Sequence, residues 1–396
     1  MPGEKVGVTE SVMLTNCNRE AMQQRLKLIL VAGARPNFMK IAPLVRSIKR
    51  HNEKLDHNDA YIEFLLVHTG QHYDIQMSEV FFRDLGLPKP DINLEVGSAS
   101  HAAQTAKIMT GFEEVCLAEK PDWVVVVGDV NSTMACTLVA SKLGIKVAHV
   151  EAGLRSFDRS MPEEVNRLVT DALADLLLTP SPDADENLVK EGIPREKIRR
   201  VGNVMIDTLI DNLDQARQMS ALARFGLKEH KYVFVTLHRP SNVDNKKSLT
   251  SIMEILSDLS KTMGVIFPVH PRTLKQIVSF GILEKAKLSP RLMITDPLNY
   301  LDTICLVDKA RFVITDSGGL QEETTYLGIP CLTVRPNTER PITISQGSNK
   351  LTSLETITSD IVQVLNGHSR RCKVPDLWDG NTGDRIISEL IQFCTN

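Results

Sequence analysis

The sequence lacks several features that mark specialised classes of protein. Its seven cysteines are scattered and include no Cys-x-x-Cys pair, which argues against a disulfide framework and a thiolate zinc site. No apolar run approaches the length needed to span a bilayer. The formal net charge of -3 provides no global basic field for nucleic acid or an anionic membrane. These absences favour a globular protein in a reducing, cytoplasmic compartment.

Chain length and the first residues set expectations for domain organisation. At 396 residues the chain exceeds the usual size of one hydrophobic core, so we expect two domains. Residues 1–25 mix charged side chains with short apolar stretches and show neither a secretory signal nor a membrane anchor. We expect them to form a flexible N-terminal extension.

Apolar runs of strand length alternate with longer amphipathic segments. Runs rich in Val, Ile and Leu, each followed by a helical pattern, predict parallel sheets covered by helices on both faces. In the first half we predict strands at 28–32, 64–68, 123–127 and 146–150, and helices at 38–50, 75–85 and 132–143. In the second half we predict strands at 232–236, 264–269, 292–295, 312–315 and 331–334.

The alternation of strands and helices begins again in the second half of the chain. This repetition predicts an α/β fold with two doubly wound, Rossmann-like domains that face one another across a cleft. We place the N-terminal domain at residues 26–202, the C-terminal domain at 203–382, and a C-terminal helix that packs back on the N-terminal domain at 383–396. Ligands of such folds bind at the carboxyl ends of the strands.

The first polar cluster at a strand end is GARPNFMK, residues 33–40. It is a Gly-Pro turn between strand and helix, and it carries the cations Arg35 and Lys40, which could bind an anion. The alternative is a plain turn with solvated side chains. No GxGxxG companion accompanies the glycine, so a dinucleotide fold is not indicated.

Carboxylates directly follow two apolar strands, as Asp129 and Glu151. Desolvation at such a position can raise a carboxyl pKa toward neutrality, which suits a general base. The alternative for Asp129 is that it caps the next helix. Capping is less apt for Glu151, because Gly153 and Arg155 indicate a loop with an ion pair. We expect His149 to be a hydrogen-bonded core histidine.

Two adjacent glutamates, Glu163 and Glu164, occur in the segment MPEEVNR at residues 161–167. Proline suits the first turn of a helix, and acids are favourable at the positive end of the helix dipole. A helix start explains one of the two glutamates and leaves the other available for chemistry.

The second half carries two His/Arg pairs and a small-residue turn. His238-Arg239 follows one predicted strand, and the pair His270 and Arg272 follows the neighbouring strand. Imidazole and guanidinium together suit a diphosphate. In TDSGGLQEE, residues 315–323, small residues between strand and helix leave backbone N–H groups available for phosphate. Glu323, one turn on, could contact ribose hydroxyls. The alternative is a helix capped by Ser317 or Asp316.

These segments together resemble the non-hydrolysing UDP-N-acetylglucosamine 2-epimerases. The matching stretches, in family order, are GARPNFMK, TGQHYD, GDVNST, HVEAGLR, MPEEVNR, TLHR, TDSGGLQEE and NTERP, which span residues 28–350 approximately. The resemblance implies the glycosyltransferase-B architecture, with UDP bound by the C-terminal domain, and a homodimer.

The resemblance also implies roles for individual residues. The catalytic residues would be Asp129, Glu151, Glu163, His238 and Lys40. The substrate and UDP would contact Arg35, Arg155, His238, Ser317, Gly318, Gly319, Glu323 and Arg340. A second substrate molecule would act as an allosteric activator against Gln71, His72, Arg239 and His270.

Departures from the family pattern leave alternatives for the substrate. Ala34 and Asn37 stand where the family usually has threonine and glutamate, and Pro240-Ser241-Asn242 also differs. GARPxF resembles the branch that epimerises UDP-2,3-diacetamido-2,3-dideoxy-glucuronate. Other hypotheses are a hydrolysing epimerase, a retaining glycosyltransferase and a catalytically silent nucleotide-sugar sensor.

The implied reaction is anti elimination of UDP and its re-addition through 2-acetamidoglucal. A proton on sugar C2 is only weakly acidic, so its removal must be coupled to departure of UDP from C1. Arg35, His238 and the Ser317-Gly319 turn are expected to stabilise the developing diphosphate, while carboxylates exchange the proton. No metal and no redox cofactor are expected, because the elimination carries its own leaving group.

Overall fold

Two parallel β-sheets organise the chain. The computed structural model describes residues 25–56, 59–71, 82, 85–368 and 372–395. The extension predicted at residues 1–25 and the helix predicted at 75–85 lie almost entirely outside these ranges. Within the described ranges, no helix is long and apolar enough to cross a membrane.

The first sheet has seven parallel strands in the order β3-β2-β1-β4-β5-β6-β7. They are β1 Arg25–Ala32, β2 Tyr61–His68, β3 Ile92–Asn93, β4 Trp123–Val127, β5 Lys146–Val150, β6 Leu176–Thr179 and β7 Ile198–Arg200. The second sheet has six parallel strands in the order β10-β9-β8-β11-β12-β13. They are β8 Tyr232–Thr236, β9 Gly264–Pro268, β10 Leu292–Thr295, β11 Phe312–Thr315, β12 Cys331–Val334 and β13 Asn349–Thr352.

Helices connect the strands, as parallel crossovers require. The described α-helices are α1 Arg35–Glu53, α2 His101–Glu119, α3 Asn131–Lys142, α4 Pro162–Leu173, α5 Pro182–Lys190, α6 Val204–Arg217, α7 Ala221–Arg224, α8 Pro240–Val243, α9 Lys246–Ser260, α10 Pro271–Ser279, α11 Leu283–Lys287, α12 Tyr300–Asp308, α13 Gly318–Leu327, α14 Ile342–Ser345, α15 Ile357–Leu365 and α16 Thr382–Thr395. A short 3₁₀ helix spans Arg195–Lys197.

Both faces of each sheet are buried, as the continuous apolar strands predict. In β1, Leu28 belongs to one hydrophobic core and its neighbour Ile29 to the core on the opposite face. In β8, Val233 and Phe234 divide in the same way. Burial on both faces confirms the predicted α/β class with two doubly wound sheets.

The strand orders place one topological switch point in each sheet. In the first sheet the chain runs outward in opposite directions from β1 and β4, and in the second from β8 and β11. Loops after these paired strands diverge and leave a crevice at their carboxyl ends. The predicted site segments at 33–40, 128–133, 236–239 and 315–323 follow β1, β4, β8 and β11. The fold therefore gathers these segments at ligand-binding edges.

Helices α6 and α16 link the two halves. Asn203 caps α6 by accepting a hydrogen bond from the Met205 backbone N–H at 2.9 Å, and the Thr208 hydroxyl donates to the Met39 carbonyl of α1 at 2.6 Å. Ile386 and Leu390 of α16 lie in the core beneath the first sheet. The domain limits at residues 202 and 382 stay predictions.

The strands missed by the sequence analysis are short or ambiguous. β3, β7 and β13 are only two to four residues long and read IN, IRR and NKLT, without an apolar run. β6 is apolar, but it follows the helix Pro162–Leu173 so closely that the two merge into one apolar stretch.

Candidate active site

A buried set of ion pairs joins the facing edges of the two sheets. Its centre is Glu151, which directly follows β5. The Glu151 Oε1 atom accepts a hydrogen bond from Arg340 Nη2 at 2.8 Å, and its Oε2 atom pairs with Lys40 Nζ. Arg340 also pairs through Nε with Glu322 Oε1 at 2.7 Å. Because Glu322 and Arg340 come from the half that contains the second sheet, this chain of charges bridges the cleft.

Glu151 has a backbone conformation that is unusual for a residue with a side chain. Its φ angle is +73°, and such left-handed conformations cost on the order of 1 kcal/mol or more unless the surroundings hold them. The Glu151 N–H donates to the Leu178 carbonyl at 3.0 Å, which fixes the turn to β6. The strained turn directs the carboxylate toward Lys40 and Arg340.

The first loop is shaped by Asn37, the residue that departs from the family pattern. Its side-chain oxygen accepts from the backbone N–H groups of Gly33 and Ala34 at 3.1 and 2.9 Å. Its amide nitrogen donates to the Val127 carbonyl at the end of β4 at 3.0 Å. Arg35 is half-buried at the first position of α1. Since Lys40 pairs with Glu151 in the protein interior, the alternative of a solvated lysine is wrong.

Asp129 pairs with Arg167, a residue that the sequence analysis did not select. The Oδ2 atom of Asp129 lies 2.5 Å from Arg167 Nη2. Burial alone would raise the pKa of Asp129, but Arg167, Lys40 and Arg340 outweigh it and hold the pKa below its ordinary value. The expected upward shift was therefore wrong. The capping alternative was also wrong, because the cap position of α3 is Val130 and no side chain caps that helix.

A second group of charges surrounds Glu339, which the sequence analysis also missed. Both Glu339 oxygens accept from Arg335, at 2.8 and 2.9 Å. Arg239 and Arg340 approach the same carboxylate at 3.5 Å, and Arg167 at 3.7 Å. Burial raises the pKa of Glu339, but these guanidinium groups outweigh it and hold that pKa well below its usual range. Glu339 thus anchors cations contributed by both halves of the chain.

Arg155 is buried in the N-terminal half, and its role as a substrate-binding residue stays a prediction. Its side chain is only 1% exposed and pairs with Asp171 at 2.7 Å and with Glu191 at 2.6 Å. The Arg155 guanidinium is therefore paired with two carboxylates inside the N-terminal half. The prediction for His149 is confirmed, because its buried ring hydrogen-bonds to Asp171 and to the Gly128 carbonyl.

The two adjacent glutamates at the start of α4 have different environments. Glu164 is buried and accepts hydrogen bonds from the Ser156 and Phe157 backbone N–H groups at 2.8 and 3.0 Å, and it pairs with Arg167. Glu163 is exposed at the helix start, and its charge acts on Arg239 across the cleft. Glu164 thus has a structural role, because it holds the loop at Ser156 and Phe157 against α4.

The two histidines of the second half lie near one another. The centroids of the His238 and His270 rings are 6.5 Å apart. The His238 Nδ1 atom lies 2.9 Å from Asp316 Oδ1, and Asp316 also accepts from the Arg239 backbone N–H at 2.9 Å. His270 accepts from the backbone N–H of Arg272 at the start of α10, while the Arg272 side chain pairs with Asp244. In the second predicted His/Arg pair, the Arg272 side chain is therefore held by Asp244.

The small-residue turn at the start of α13 has the geometry of an anion site. Ser317 occupies the cap position, but its side chain makes no capping hydrogen bond, and Asp316 bonds instead to the turn at His238. The capped-helix alternative is therefore wrong, and the first-turn N–H groups can serve an anion. Gly318 packs against Arg340, since a Cβ atom there would lie 2.7 Å from Arg340 Nη1.

Gln71, one of the residues implied in effector binding, packs within the N-terminal half. Its side-chain oxygen accepts from the Ser132 N–H and hydroxyl at 3.1 and 2.8 Å, and its carbonyl accepts from Gln104 at 2.8 Å. His72 lies outside the described residues. The effector role of these residues and of Arg239 and His270 stays a prediction.

Glu323 makes the stability of the protein depend on pH. Burial raises the pKa of its carboxyl from 4.5 to about 7, and Tyr300 donates a hydrogen bond to it at 3.0 Å. Because the folded state holds the proton more tightly than the unfolded state, this contribution is complete below pH 4.5 and is lost as the pH rises through about 7.

Glu323→Gln should remove this pH dependence. We expect the free energy of unfolding of the variant, relative to the wild-type chain, to rise by roughly 2–4 kcal/mol between pH 4.5 and pH 8. Urea denaturation at both pH values measures the difference. Parallel pH profiles for the two proteins would show that Glu323 does not titrate in this range.

The two facing doubly wound sheets, with carboxylates on one edge and an open helix start on the other, define a class of enzymes that act on nucleotide sugars. The family model described as UDP-N-acetylglucosamine 2-epimerase matches residues 54–391. The chain belongs to the UDP-N-acetylglucosamine 2-epimerase family. Its relatives in this family are isomerases.

Individual relatives agree with this assignment. The UDP-N-acetylglucosamine 2-epimerase of Methanococcus maripaludis is 41% identical over 372 residues, which are 91% of this chain and 97% of that protein. The UDP-2,3-diacetamido-2,3-dideoxy-D-glucuronate 2-epimerase of Pseudomonas aeruginosa is 39% identical over 329 residues, 82% of this chain and 88% of that protein.

A solved structure supports the fold directly. The crystal structure of Methanocaldococcus jannaschii UDP-GlcNAc 2-epimerase in complex with UDP-GlcNAc and UDP matches with a TM-score of 0.83 at 41% identity. The match covers 93% of this chain and 100% of that one. The predicted glycosyltransferase-B type of architecture is confirmed.

Proposed function

We propose that this protein is a non-hydrolysing UDP-N-acetylglucosamine 2-epimerase that interconverts UDP-GlcNAc and UDP-ManNAc. The observation that carries the proposal is Glu151, held between Lys40 and Arg340 where the first sheet meets the open helix start at Gly318. A carboxylate for the sugar and an anion site for the diphosphate thus lie on opposite sides of Arg340.

The leaving group is stabilised by preorganised hydrogen-bond donors and by the Arg35 cation in this proposal. The first-turn N–H groups at Ser317, Gly318 and Gly319 and the imidazole of His238 face the position of the diphosphate, and Arg35 approaches from the first loop. Such preorganised donors lower a barrier because they need not reorient as charge develops. Glu323 contacts the ribose, and Arg340 contacts the diphosphate side of the substrate.

Proton exchange at C2 is assigned to the carboxylates Asp129, Glu151 and Glu163. The lowered pKa of Asp129 favours the ionised form, which a group that removes a proton must have at the start of the reaction. One acid removes the C2 proton and another returns a proton to the opposite face of the 2-acetamidoglucal intermediate. Lys40 neutralises charge beside Glu151, and either direction uses the same set of groups.

Further parts of the proposal rest on the resemblance and on composition. A second UDP-GlcNAc acts as an activator beside Gln71, Arg239 and His270, and the enzyme is a homodimer. The two domains divide at residue 202, and residues 383–396 return to the first. A cytoplasmic location agrees with the scattered cysteines, of which Cys116, Cys136, Cys305, Cys331 and Cys372 are free thiols.

A second candidate is the epimerisation of UDP-2,3-diacetamido-2,3-dideoxy-glucuronate. The relative of that name in Pseudomonas aeruginosa is 39% identical, close to the 41% of the UDP-N-acetylglucosamine 2-epimerase of Methanococcus maripaludis. A uronate substrate needs an additional cation for its carboxylate. Parallel assays with both sugar nucleotides separate the candidates, since only the correct substrate is epimerised at a useful rate.

Solvent deuterium tests the reaction type. The purified protein should incorporate deuterium at C2 of the sugar during turnover in D₂O, without added NAD or divalent metal. Proton NMR follows loss of the C2 signal together with appearance of the epimer. Activity that disappears on rigorous chelation and returns only with metal, or release of free N-acetylmannosamine, would contradict the proposal.

A further inference from the structure

Resting on the proposed function, we propose that His149 and Asp171 are positioning residues that fix Asp129 and Glu151 relative to one another. Both are buried behind the loops that carry these acids. Neither belongs to the set of residues assigned to substrate or effector. Their contacts connect every loop of the first sheet that supplies a candidate acid.

The His149 ring is held at both nitrogens. Its Nδ1 atom lies 2.6 Å from Asp171 Oδ1, and its Nε2 atom lies 2.8 Å from the Gly128 carbonyl oxygen. A carboxylate and a carbonyl oxygen are both hydrogen-bond acceptors, so each ring nitrogen faces an acceptor. The ring thus holds the peptide that directly precedes Asp129.

Asp171 holds the second loop, which follows β5 and carries Glu151. Its Oδ2 atom accepts from the Gly153 N–H at 3.1 Å and pairs with Arg155 Nη1 at 2.7 Å. Gly153 follows Glu151 by two residues, and Asp171 itself lies on α4, whose first turn carries Glu163. Asp171 therefore links the two loops and the helix that bear the three candidate acids.

The backbone of these loops needs such support. The φ angles of Gly128, Glu151 and Gly153 are +67°, +73° and +79°. A Cβ atom on Gly153 would lie only 2.4 Å from the Ala184 carbonyl oxygen, so the loop is pressed against α5. If the bonds to the Gly128 carbonyl and the Gly153 N–H were lost, these turns could relax and displace the carboxylates that follow or precede them.

Packing alone does not require polar groups at the positions of His149 and Asp171. The neighbouring β5 residues Val147 and Val150 fill the core with apolar side chains, and a buried ion pair is often no more stabilising than apolar residues of the same volume. Directional bonds to two loops give what apolar packing lacks, which is a fixed orientation of the peptides at the active site.

Two variants and one control test the inference. His149→Leu removes both ring contacts, and Asp171→Asn keeps the shape but removes the charge that holds His149 and Arg155. We expect each variant to lower kcat by about 100-fold, the effect of a misplacement of about 1 Å, with the Kd for UDP changed less than about threefold. Tyr232→Phe is the control, because it removes a buried hydrogen bond from Tyr232 of the second sheet to the Leu306 carbonyl of α12.

A readout specific to positioning is the fate of C2 deuterium. If the acids are displaced relative to one another, proton removal and proton return are affected unequally. The ratio of deuterium in recovered substrate to epimer formed should therefore change at least about threefold in both variants and stay unchanged in Tyr232→Phe. Asp171→Asn supplies the result if His149→Leu fails to fold.

The outcomes separate this inference from the function on which it rests. A wild-type protein that epimerises neither sugar nucleotide would overturn the proposed function. An active wild-type protein whose variants keep kcat and the deuterium ratio within the range of Tyr232→Phe would overturn the positioning role. An equal fall in kcat and in UDP affinity, with an unchanged deuterium ratio, would also overturn it, because it would indicate general disruption.

Discussion

Replacing Glu151 by glutamine should abolish most of the epimerisation while leaving UDP binding intact. Glutamine has the same shape but cannot exchange a proton as a carboxylate does, and loss of a general acid or base typically lowers the rate by about 100-fold to 10,000-fold. We expect kcat to fall within this range. The measurement is turnover of UDP-GlcNAc by NMR, together with calorimetric titration of UDP.

The affinity for UDP distinguishes a chemical role from a structural one. Glu151→Gln removes a negative charge between Lys40 and Arg340, so the Kd for the anionic UDP should stay the same or decrease. Asp175→Asn is the matched control. Asp175 accepts from the Val147 N–H at the opposite, amino-terminal end of the strands. Equal losses of turnover and UDP affinity in Glu151→Gln would assign Glu151 to binding or folding instead of chemistry.

Arg340→Met should destabilise the protein strongly. The Arg340 side chain is 10% exposed and pairs with Glu151, Glu322 and Glu339, so its removal leaves carboxylates buried without their shared cation. Breaking one side of a buried ion pair typically costs about 3–5 kcal/mol. Urea denaturation should show a loss of this size in the free energy of unfolding.

A compensating variant tests the electrostatic cause. Burial and nearby Glu151 raise the pKa of Glu322, and the Arg340 guanidinium opposes this rise, so the loss of Arg340 leaves the buried carboxyl of Glu322 without its stabilising cation. Adding Glu322→Leu to Arg340→Met should therefore recover part of the lost stability. A single variant that loses less than about 1 kcal/mol, as an exposed ion pair would, would contradict the central position of Arg340.

The strands that were predicted correctly are marked by a short, continuous run of apolar residues. β4 reads WVVVV and β11 reads FVIT, and both occur at the predicted bounds. β13 reads NKLT and is a strand only because its backbone pairs with β12 along the edge of the sheet. The local composition of such an edge strand does not indicate its pairing, so the strand cannot be predicted from the sequence alone.

The positions of the candidate acids could be predicted from the sequence, but most of their ion-pair partners could not. Asp129 and Glu151 follow apolar strands, and that placement marks a ligand-binding edge in any sheet of this type. The partner of Asp129 is Arg167, which is 38 residues away, and this distant cation reverses the expected pKa shift. The ion pairs of Arg155 could not be predicted for the same reason, because its partner Asp171 lies on α4 and its partner Glu191 directly follows α5.

A crystal structure of the protein soaked with UDP-GlcNAc would show directly where the substrate binds. We expect the diphosphate at the helix start formed by Ser317, Gly318 and Gly319, within hydrogen-bonding reach of His238 and facing Arg35. We expect sugar C2 to lie against Glu151 or Asp129. A diphosphate bound away from these residues, or a sugar ring turned from both carboxylates, would show that the proposed site is wrong.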